Sequence, residues 1–252
     1  MSGSSAQQNQ FIYYKSVKQG HFWLDTRVMC LLSLLERQRI RLQGLRGLEV
    51  GCGNGLLVSQ LERTLDCTMD GVDIHDVGGR PMARGRFETY DIARRDPRKK
   101  GTYDFVVIFD VLEHIPEPEK FLADIAYHLK PGGHLFVNVP AFRALYSRYD
   151  AIAGHLRRYT IGMLRGELER SKSFRLLGAR YWGFFFLPLV VLRKILLATV
   201  YRNRSDQAAY DAGFVPPAKL VNSALTQVGG MEAALPFAFP LGTSVMAAAK
   251  SV

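Results

Sequence analysis

The chain is predicted to form an α/β fold, a doubly wound sheet of mostly parallel strands with helices on both faces. Strand-like and helix-like patterns alternate along residues 45–140. The run Tyr103–Phe109 is apolar throughout, as in a strand buried on both sides. A chain of 252 residues, 48% of them hydrophobic, can form one large domain with a complete core.

The predicted elements divide the chain into three parts. Residues 1–10 are polar, lack the regions of a signal peptide and are expected to form a disordered tail. Residues 11–44 are expected to form a helical lid, and residues 45–252 the main domain. Within that domain the patterns predict a helix at 117–129, a stop at 130–133, and strands at 134–140, 174–181 and 241–250.

The segment 48–55, Leu-Glu-Val-Gly-Cys-Gly-Asn-Gly, joins an apolar stretch to the start of a predicted helix. Gly51, Gly53 and Gly55 allow a tight turn with positive φ, and the missing Cβ lets a ligand lie against the backbone. Glu49 lies at the strand end, where a buried carboxylate needs a charged or hydrogen-bonding partner. The spacing lacks the third glycine of dinucleotide sites. The turn therefore favours a nucleoside that carries positive charge.

Acidic residues follow the next predicted strands. Asp73 ends the stretch 67–73, where its carboxylate can accept hydrogen bonds from both hydroxyls of a ribose. Asp91 follows a shorter strand-like stretch, and the strand Tyr103–Phe109 leads into Asp110-Val-Leu-Glu-His-Ile-Pro. Each feature also has a purely structural interpretation: a plain turn, a helix cap or a solvated carboxylate.

Taken together, these segments resemble the class I S-adenosylmethionine-dependent methyltransferases. The first motif of that family is Glu/Asp-x-Gly-x-Gly-x-Gly; Asp-x-Leu-Glu-His follows its fourth strand and Leu-Lys-Pro-Gly-Gly precedes its fifth, all of them present here in order. The resemblance implies a Rossmann-like seven-stranded sheet in which the strands at 174–181 and 241–250 pair as an antiparallel edge hairpin. It further implies that the domain binds S-adenosyl-L-methionine and releases S-adenosyl-L-homocysteine. It also implies these cofactor-binding residues: Glu49, Gly51, Cys52, Gly53, Gly55, Asp73, Ile74, Asp91, Ile92, Asp110 and Val111.

Residues 20–27, Gly-His-Phe-Trp-Leu-Asp-Thr-Arg, resemble the start of family members from quinone and polysaccharide pathways. In those members a similar segment covers the site. On this resemblance His21, Trp23 and Arg27 contact the methyl acceptor. An aromatic staple that packs a helix onto the core fits the same residues equally well.

The predicted insertion, about residues 141–173, carries a Tyr-Asp…Gly-His-x-Arg-Arg-Tyr pattern similar to that of the same branch. Arginines bind phosphate or carboxylate, and a histidine can take a proton. The expected acceptor-binding residues are Tyr146, Arg157, Arg158 and Tyr159, and the expected catalytic residues are His155 as base, His114 as the second candidate and Tyr149 as a positioning hydroxyl. A salt-bridged surface helix is the alternative. No triad with metal spacing is evident, so no metal is expected.

The segment 181–204 is rich in apolar residues. Its uninterrupted apolar run, residues 184–192, is far shorter than the ~20 residues that cross a bilayer. Pro188 and the pair Arg193-Lys194 also argue against a spanning helix. A wall of the acceptor pocket or a buried helix is the first interpretation, and contact with a membrane interface is the second. Each is compatible with a lipid-like or lipid-linked acceptor.

Charge and cysteine content narrow the function classes. A net charge of +10 suits nucleic acid, anionic lipid or phosphorylated substrates. Nucleic acid is disfavoured, because neither an Asn/Asp-Pro-Pro-aromatic motif nor a Pro-Cys motif occurs. Cys30, Cys52 and Cys67 lack Cys-x-x-Cys spacing, which fits a reducing cytosol.

The sequence therefore predicts a cytoplasmic, optionally membrane-associated enzyme that methylates a small-molecule acceptor. The acceptor is expected to be lipid-like, lipid-linked, phosphorylated or carboxylated. Two alternatives stay open: an RNA or protein methyltransferase that uses the basic surface, and a catalytically silent cofactor-binding protein. The oligomeric state is left open.

Overall fold

The computed structural model describes residues 20–76, 83–209 and 217–252. The strands of this part are β1 (Arg46–Val50), β2 (Thr68–Asp73), β3 (Phe87–Thr89), β4 (Tyr103–Phe109), β5 (Leu129–Pro140), β6 (Phe174–Trp182) and β7 (Ser244–Ser251). Its α-helices include α1 (Phe22–Gln38), α2 (Leu56–Leu65), α3 (Pro118–His128), α4 (Arg148–Ala153), α5 (Ile161–Arg170), α6 (Leu187–Ala198) and α7 (Lys219–Ala234). The predicted tail, residues 1–10, and residues 11–19 of the predicted lid lie outside the described residues.

The strands form a seven-stranded sheet in the order β3-β2-β1-β4-β5-β7-β6. The first five strands of this order pair in parallel, whereas β7 is antiparallel to both β5 and β6. The predicted doubly wound sheet with an antiparallel edge hairpin is confirmed. The strand order reverses between β1 and β4, and ligands bind at such a switch point beside the carboxyl ends of the strands.

Helices cover both faces of the sheet, as the continuous apolar pattern of β4 predicts. Val106 and Ile108 of β4 pack in one buried cluster with residues of α3 and α5. Phe105, Val107 and Phe109 pack in a second cluster with residues of α1 and α2. Successive residues of one strand therefore supply both cores, because side chains alternate across a sheet.

The fifth strand begins earlier than the sequence predicts. The stretch 130–133, expected as a stop between helix and strand, lies inside β5, and α3 ends at His128. Leu129 already pairs with Tyr103, and a bulge follows before the regular ladder from Phe105 onward. Pairing with the neighbouring strand thus extends β5 through a segment whose local composition indicates a turn.

Two segments differ in how they meet the rest of the molecule. The helix α1 packs into the core through its apolar side chains, among them Val28, Leu31 and Leu34. In α6, by contrast, only Val190 and Leu197 are buried. The interpretation of residues 181–204 as a buried helix is therefore wrong for most of α6. Within the described ranges, no helix has the length and apolar character needed to cross a membrane.

Candidate functional site

The turn between β1 and α2 has the backbone that its glycines predict. Gly51, Gly53 and Gly55 adopt φ values of 75°, 50° and 74°. A Cβ on Gly51 would come within 2.7 Å of Cγ2 of Val111, so the ends of β1 and β4 are in contact here. Cys52 is buried in the core and takes part in the turn through its backbone, whose N–H donates to the carbonyl of Val72.

Asp73 connects the end of β2 to this turn. One carboxylate oxygen accepts from the N–H of Gly53 at 2.9 Å, and the other accepts from the N–H of His75 at 3.0 Å. The side chain is buried at the carboxyl end of β2, beside the glycine turn, and its contact with a ribose stays a prediction. Ile74, the next residue, is 62% exposed and offers an apolar surface beside it.

Asp91 and Ile92 lie farther along the same edge. Asp91 is exposed and accepts from the N–H of Ala93, which caps the short 3₁₀ turn Ile92–Arg94. Ile92 packs inside the core. Their contact with an adenine stays a prediction.

A buried chain of polar contacts ends at Asp110, directly after β4. Arg27 of α1 donates to one carboxylate oxygen of Asp110 at 2.5 Å, and the amide of Asn138 donates to the other at 2.7 Å. Nε1 of Trp182 donates to the amide oxygen of Asn138 at 2.8 Å. Asp110 has a φ of 57°, a conformation that costs free energy in a residue with a Cβ and often occurs at functional sites.

Glu49 and Arg27 are both buried, and each keeps one polar atom without a hydrogen bond within the described residues: Oε2 of Glu49 and Nε of Arg27. Burial raises the pKa of Glu49 to about 8; the positive charge of Arg27 opposes this rise, and the negative charge of Asp73 adds to it. These two unsatisfied atoms are complementary to a zwitterion, with an ammonium for Oε2 of Glu49 and a carboxylate for Nε of Arg27.

His155 lies in the insertion that follows β5. Its Nδ1 is 2.9 Å from a carboxylate oxygen of Asp150, and its Nε2 is 3.8 Å from Oε1 of Glu113. Arg158 donates to both oxygens of Asp150, at 2.8 and 3.1 Å. Burial alone would raise the pKa of Asp150, but the hydrogen bond from His155 and the charge of Arg158 hold that pKa well below its usual range. Asp150 is therefore an anion that accepts the Nδ1–H, which leaves the lone pair of His155 on Nε2.

Two further titratable groups surround this nitrogen. Glu113 is fully buried, and neither carboxylate oxygen has a hydrogen bond within the described part of the chain. Burial, then the charge of Asp110, raises its pKa well above the ordinary value. Burial and the neighbouring His155 lower the pKa of His114 to about 4. One ligand atom from each of Glu113, His114 and His155 lies within 4.8 Å of the others, so these residues could hold an ion; the expected absence of a metal stays a prediction.

The other predicted acceptor residues divide into two groups. Tyr146 donates to the carbonyl of His155, and Arg157 lies near Glu167 at the surface of the insertion. Arg158, besides Asp150, donates to the carbonyl of Ala141, and Tyr159 is fully buried with its hydroxyl donating to the carbonyl of Leu112. The last two residues hold the insertion together, and their direct contact with an acceptor stays a prediction.

The three N-terminal residues that were predicted to contact the acceptor lie in different surroundings. Nδ1 of His21 accepts from the N–H of Trp23 and so caps α1. The Trp23 ring lies 4.9 Å from that of Trp182 and 6.0 Å from that of Phe186. These contacts match the aromatic staple. Arg27 contacts Asp110 after β4, and the contact of these three residues with a methyl acceptor stays a prediction.

Three residues at the site were not assigned a role from the sequence. Glu113 stands inside the recognised Asp-x-Leu-Glu-His segment, and Asn138 interrupts an apolar strand; a polar residue in such a strand is the signal that indicates a buried hydrogen-bonding role. Asp150 also completes a capping box with Ser147. Because this local role accounts for the aspartate, the sequence does not indicate its contact with His155.

Comparisons with known proteins bear on this site. Residues 23–171 match the family model described as a methyltransferase domain. The ubiquinone biosynthesis O-methyltransferase of Marinobacter nauticus is 35% identical over 111 residues, which are 40% of this chain and 46% of that protein. The protein of the same name from Nitrosococcus oceani is 32% identical over 111 residues, 40% of this chain and 45% of that one. The chain thus spans about half the length of the curated relatives it matches.

Solved structures show the same fold at low identity. The cyclase SpnF has a TM-score of 0.57 and 20% identity, over 89% of this chain and 80% of that one. The 1,6-didemethyltoxoflavin-N1-methyltransferase of Burkholderia thailandensis, solved with S-adenosylhomocysteine, has a TM-score of 0.56 and 14% identity, over 99% of this chain and 84% of that one.

Proposed function

Because the chain belongs to the methyltransferase domain family, we propose that it transfers a methyl group from S-adenosyl-L-methionine to a small-molecule acceptor. One observation carries the proposal: beside the glycine turn, Glu49 and Arg27 are buried with one orphaned polar atom each. The amino-acid end of the cofactor has the matching ammonium and carboxylate. In this proposal Asp73 and Ile74, at the end of β2, contact the ribose and the adenine of the same molecule.

When bound, S-adenosyl-L-methionine supplies the methyl group and leaves as S-adenosyl-L-homocysteine. The acceptor atom forms the new bond to the methyl carbon as the bond from carbon to sulfur breaks. In our proposal Nε2 of His155 takes the proton that the acceptor loses. Asp150 holds the imidazole in the required tautomer and stabilises the imidazolium that results, and Arg158 keeps Asp150 ionised. Tyr149, on the same helix as Asp150, stays the proposed positioning group.

The acceptor is proposed to be lipid-like or lipid-linked, or to carry a phosphate or carboxylate. Arg157 supports the anionic part, since its side chain is 25% exposed and it lies between His155 and Arg158 in the sequence of the insertion. The apolar segment 181–204 supports the lipid-like part. We place the protein in the cytoplasm with peripheral membrane contact through this segment. The names of the relatives match this substrate class, since both are O-methyltransferases of ubiquinone biosynthesis.

Two measurements test the function. Calorimetry with S-adenosyl-L-homocysteine is expected to show one binding site, and incubation with methyl-labelled S-adenosyl-L-methionine and a bacterial lipid extract is expected to label an extractable small molecule. If the label appears only in added RNA or protein, the acceptor is a macromolecule and the proposed small-molecule acceptor is wrong.

A second candidate has a specific observation in its favour. SpnF, which shares this fold, is described as a cyclase, so the fold alone does not fix methyl transfer. Binding of S-adenosyl-L-homocysteine without transfer of label to any acceptor would support this second reading, a cofactor-binding protein without methyltransferase activity.

A further inference from the structure

Helix α6 carries apolar side chains that are exposed to solvent rather than buried. Five apolar side chains along one side of this helix are between 40% and 53% exposed; we call them the outer face, and they are Leu189, Val191, Leu192, Ile195 and Leu196. Phe185 before the helix and Val200 after it are exposed as well. Monomeric soluble proteins rarely expose contiguous apolar groups on this scale, so the outer face indicates a binding surface.

The charged residues of α6 point away from the outer face. The guanidinium of Arg193 lies 4.4 Å from the ring centre of Tyr149, and Nζ of Lys194 donates to the carbonyl of Ala144 at 2.7 Å. Both partners belong to the insertion. A surface helix in water has the reverse arrangement, with apolar residues against the protein and charged residues outside. Apart from the buried Val190 and Leu197, α6 therefore has this arrangement reversed.

The charge around the outer face distinguishes among the partners it could bind. Residues 183–205 contain no acidic side chain and four basic ones, namely Arg193, Lys194, Arg202 and Arg204. Arg202 and Arg204 follow the helix and are exposed. In a symmetric contact between two copies, these cations would face one another and repel. An anionic lipid surface complements both the apolar side chains and the cations that flank them.

We propose that α6 docks the protein on an anionic membrane interface. The outer face enters the boundary between headgroups and acyl chains, and Arg202 and Arg204 contact the headgroups. The helix has 12 residues and is about 18 Å long. It therefore lies along the interface rather than across the bilayer.

The docking helix adjoins the candidate acceptor site. Leu197 on its inner side packs in a small buried cluster with Tyr149 and Ile152 of α4. Asp150 of the same helix α4 holds His155. A lipid-like acceptor that leaves the bilayer beside α6 therefore enters next to the proposed base. This step rests on the proposed function, whereas the docking itself does not.

Co-sedimentation of the full chain with vesicles tests the docking. We expect binding to vesicles of phosphatidylcholine with phosphatidylglycerol, and at least about tenfold weaker binding to phosphatidylcholine alone. Leu192→Asp combined with Ile195→Asp is expected to lower binding to the anionic vesicles at least about tenfold, because the change places two charges in the acyl boundary. Met163→Asp on α5 is the matched control, since Met163 is 44% exposed; it is expected to bind like the parent protein.

Thermal unfolding and calorimetry with S-adenosyl-L-homocysteine show whether the variants keep the fold and the cofactor site. The docking proposal is refuted if the parent protein does not bind anionic vesicles, or if the double variant binds them as tightly as the parent protein. It is also refuted if the parent protein is a dimer in analytical ultracentrifugation and does not bind vesicles, while the double variant is a monomer. A protein that binds vesicles but not S-adenosyl-L-homocysteine would refute the proposed function and leave the docking in place.

Discussion

The carboxyl edge of β1, β2 and β4 and the outer face of α6 depart from ordinary burial in opposite directions. At the edge, the ionisable side chains of Arg27 and Glu49 are only 4–6% exposed, and each keeps one polar atom without a hydrogen bond within the described residues. On α6, apolar side chains face the solvent. A buried charge without a full set of partners and an exposed apolar patch are both unfavourable until a ligand satisfies them. The two regions are therefore complementary to different partners, a zwitterionic nucleoside and a lipid surface.

The two regions also differ in how firmly the fold holds them. The edge is fixed by parallel ladders on both sides of β1 and by hydrogen bonds such as that from Gly53 to Asp73. The helix α6 is attached through the buried Val190 and Leu197 and through the contacts of Arg193 and Lys194. A rigid edge suits a cofactor of fixed shape, and a peripheral helix suits a surface without fixed shape.

The largest effect is expected from the glycine turn. Gly53→Val should abolish binding of S-adenosyl-L-homocysteine in calorimetry, because φ is 50° there and a branched side chain intrudes on the methionine part of the ligand. Gly44→Val is the matched control: Gly44 has a φ of 71°, and nothing lies within 4 Å of an added Cβ. Binding to anionic vesicles should be unchanged in both variants. Unaltered affinity in Gly53→Val would mean that the turn does not hold the cofactor.

The next effect concerns turnover. His155→Ala is expected to lower kcat about 100-fold or more, since a base contributes about 10²–10⁴ in rate, and to leave the affinity for S-adenosyl-L-homocysteine almost unchanged. Asp150→Asn should lower kcat less, because it weakens the orientation of the imidazole but keeps the ring. Equal losses of kcat and cofactor affinity in His155→Ala would show that this residue is structural.

The cofactor edge was more predictable from the sequence than α6, and the reason is physical. Glycines and strand-end aspartates owe their roles to backbone geometry, which short motifs encode directly; Gly51, Gly53 and Gly55 have the positive φ that the motif requires. The doubly wound sheet was predicted from the alternation of strand and helix patterns. In α6, residues 187–192 are apolar on every side, so the periodicity defines no buried face. Only packing against the insertion decides which way that helix faces.

Contacts between distant parts of the chain could not be predicted from the sequence either. Glu113 and His155 come from separate turns, and their approach depends on how the insertion folds back over β4. The start of β5 at Leu129 depends on pairing with Tyr103, which outweighs the turn-forming composition of the following residues.

A smaller effect is expected from Arg27. Arg27→Gln should weaken binding of S-adenosyl-L-homocysteine about tenfold or more, because charge-assisted hydrogen bonds to the ligand carboxylate are lost. Arg37→Gln on the same helix is the control, since Arg37 is exposed and donates to the carbonyls of Leu235 and Pro236 far from the edge. The measurement is calorimetry at constant salt. A variant with normal affinity would leave Arg27 as a structural link between α1 and Asp110.

The smallest effect is the release of a proton from Glu49 when the ligand binds. Its pKa of about 8 leaves the carboxyl largely protonated at pH 6.5 before a ligand binds. An ammonium placed beside it favours the carboxylate and lowers this pKa, so binding should release close to one proton, and affinity should rise as the pH increases toward 8. Calorimetry of S-adenosyl-L-homocysteine in buffers of different ionisation enthalpy measures the release. Glu49→Gln should release none and bind with little pH dependence between 6 and 8; a normal proton count in that variant would assign the titration to another group.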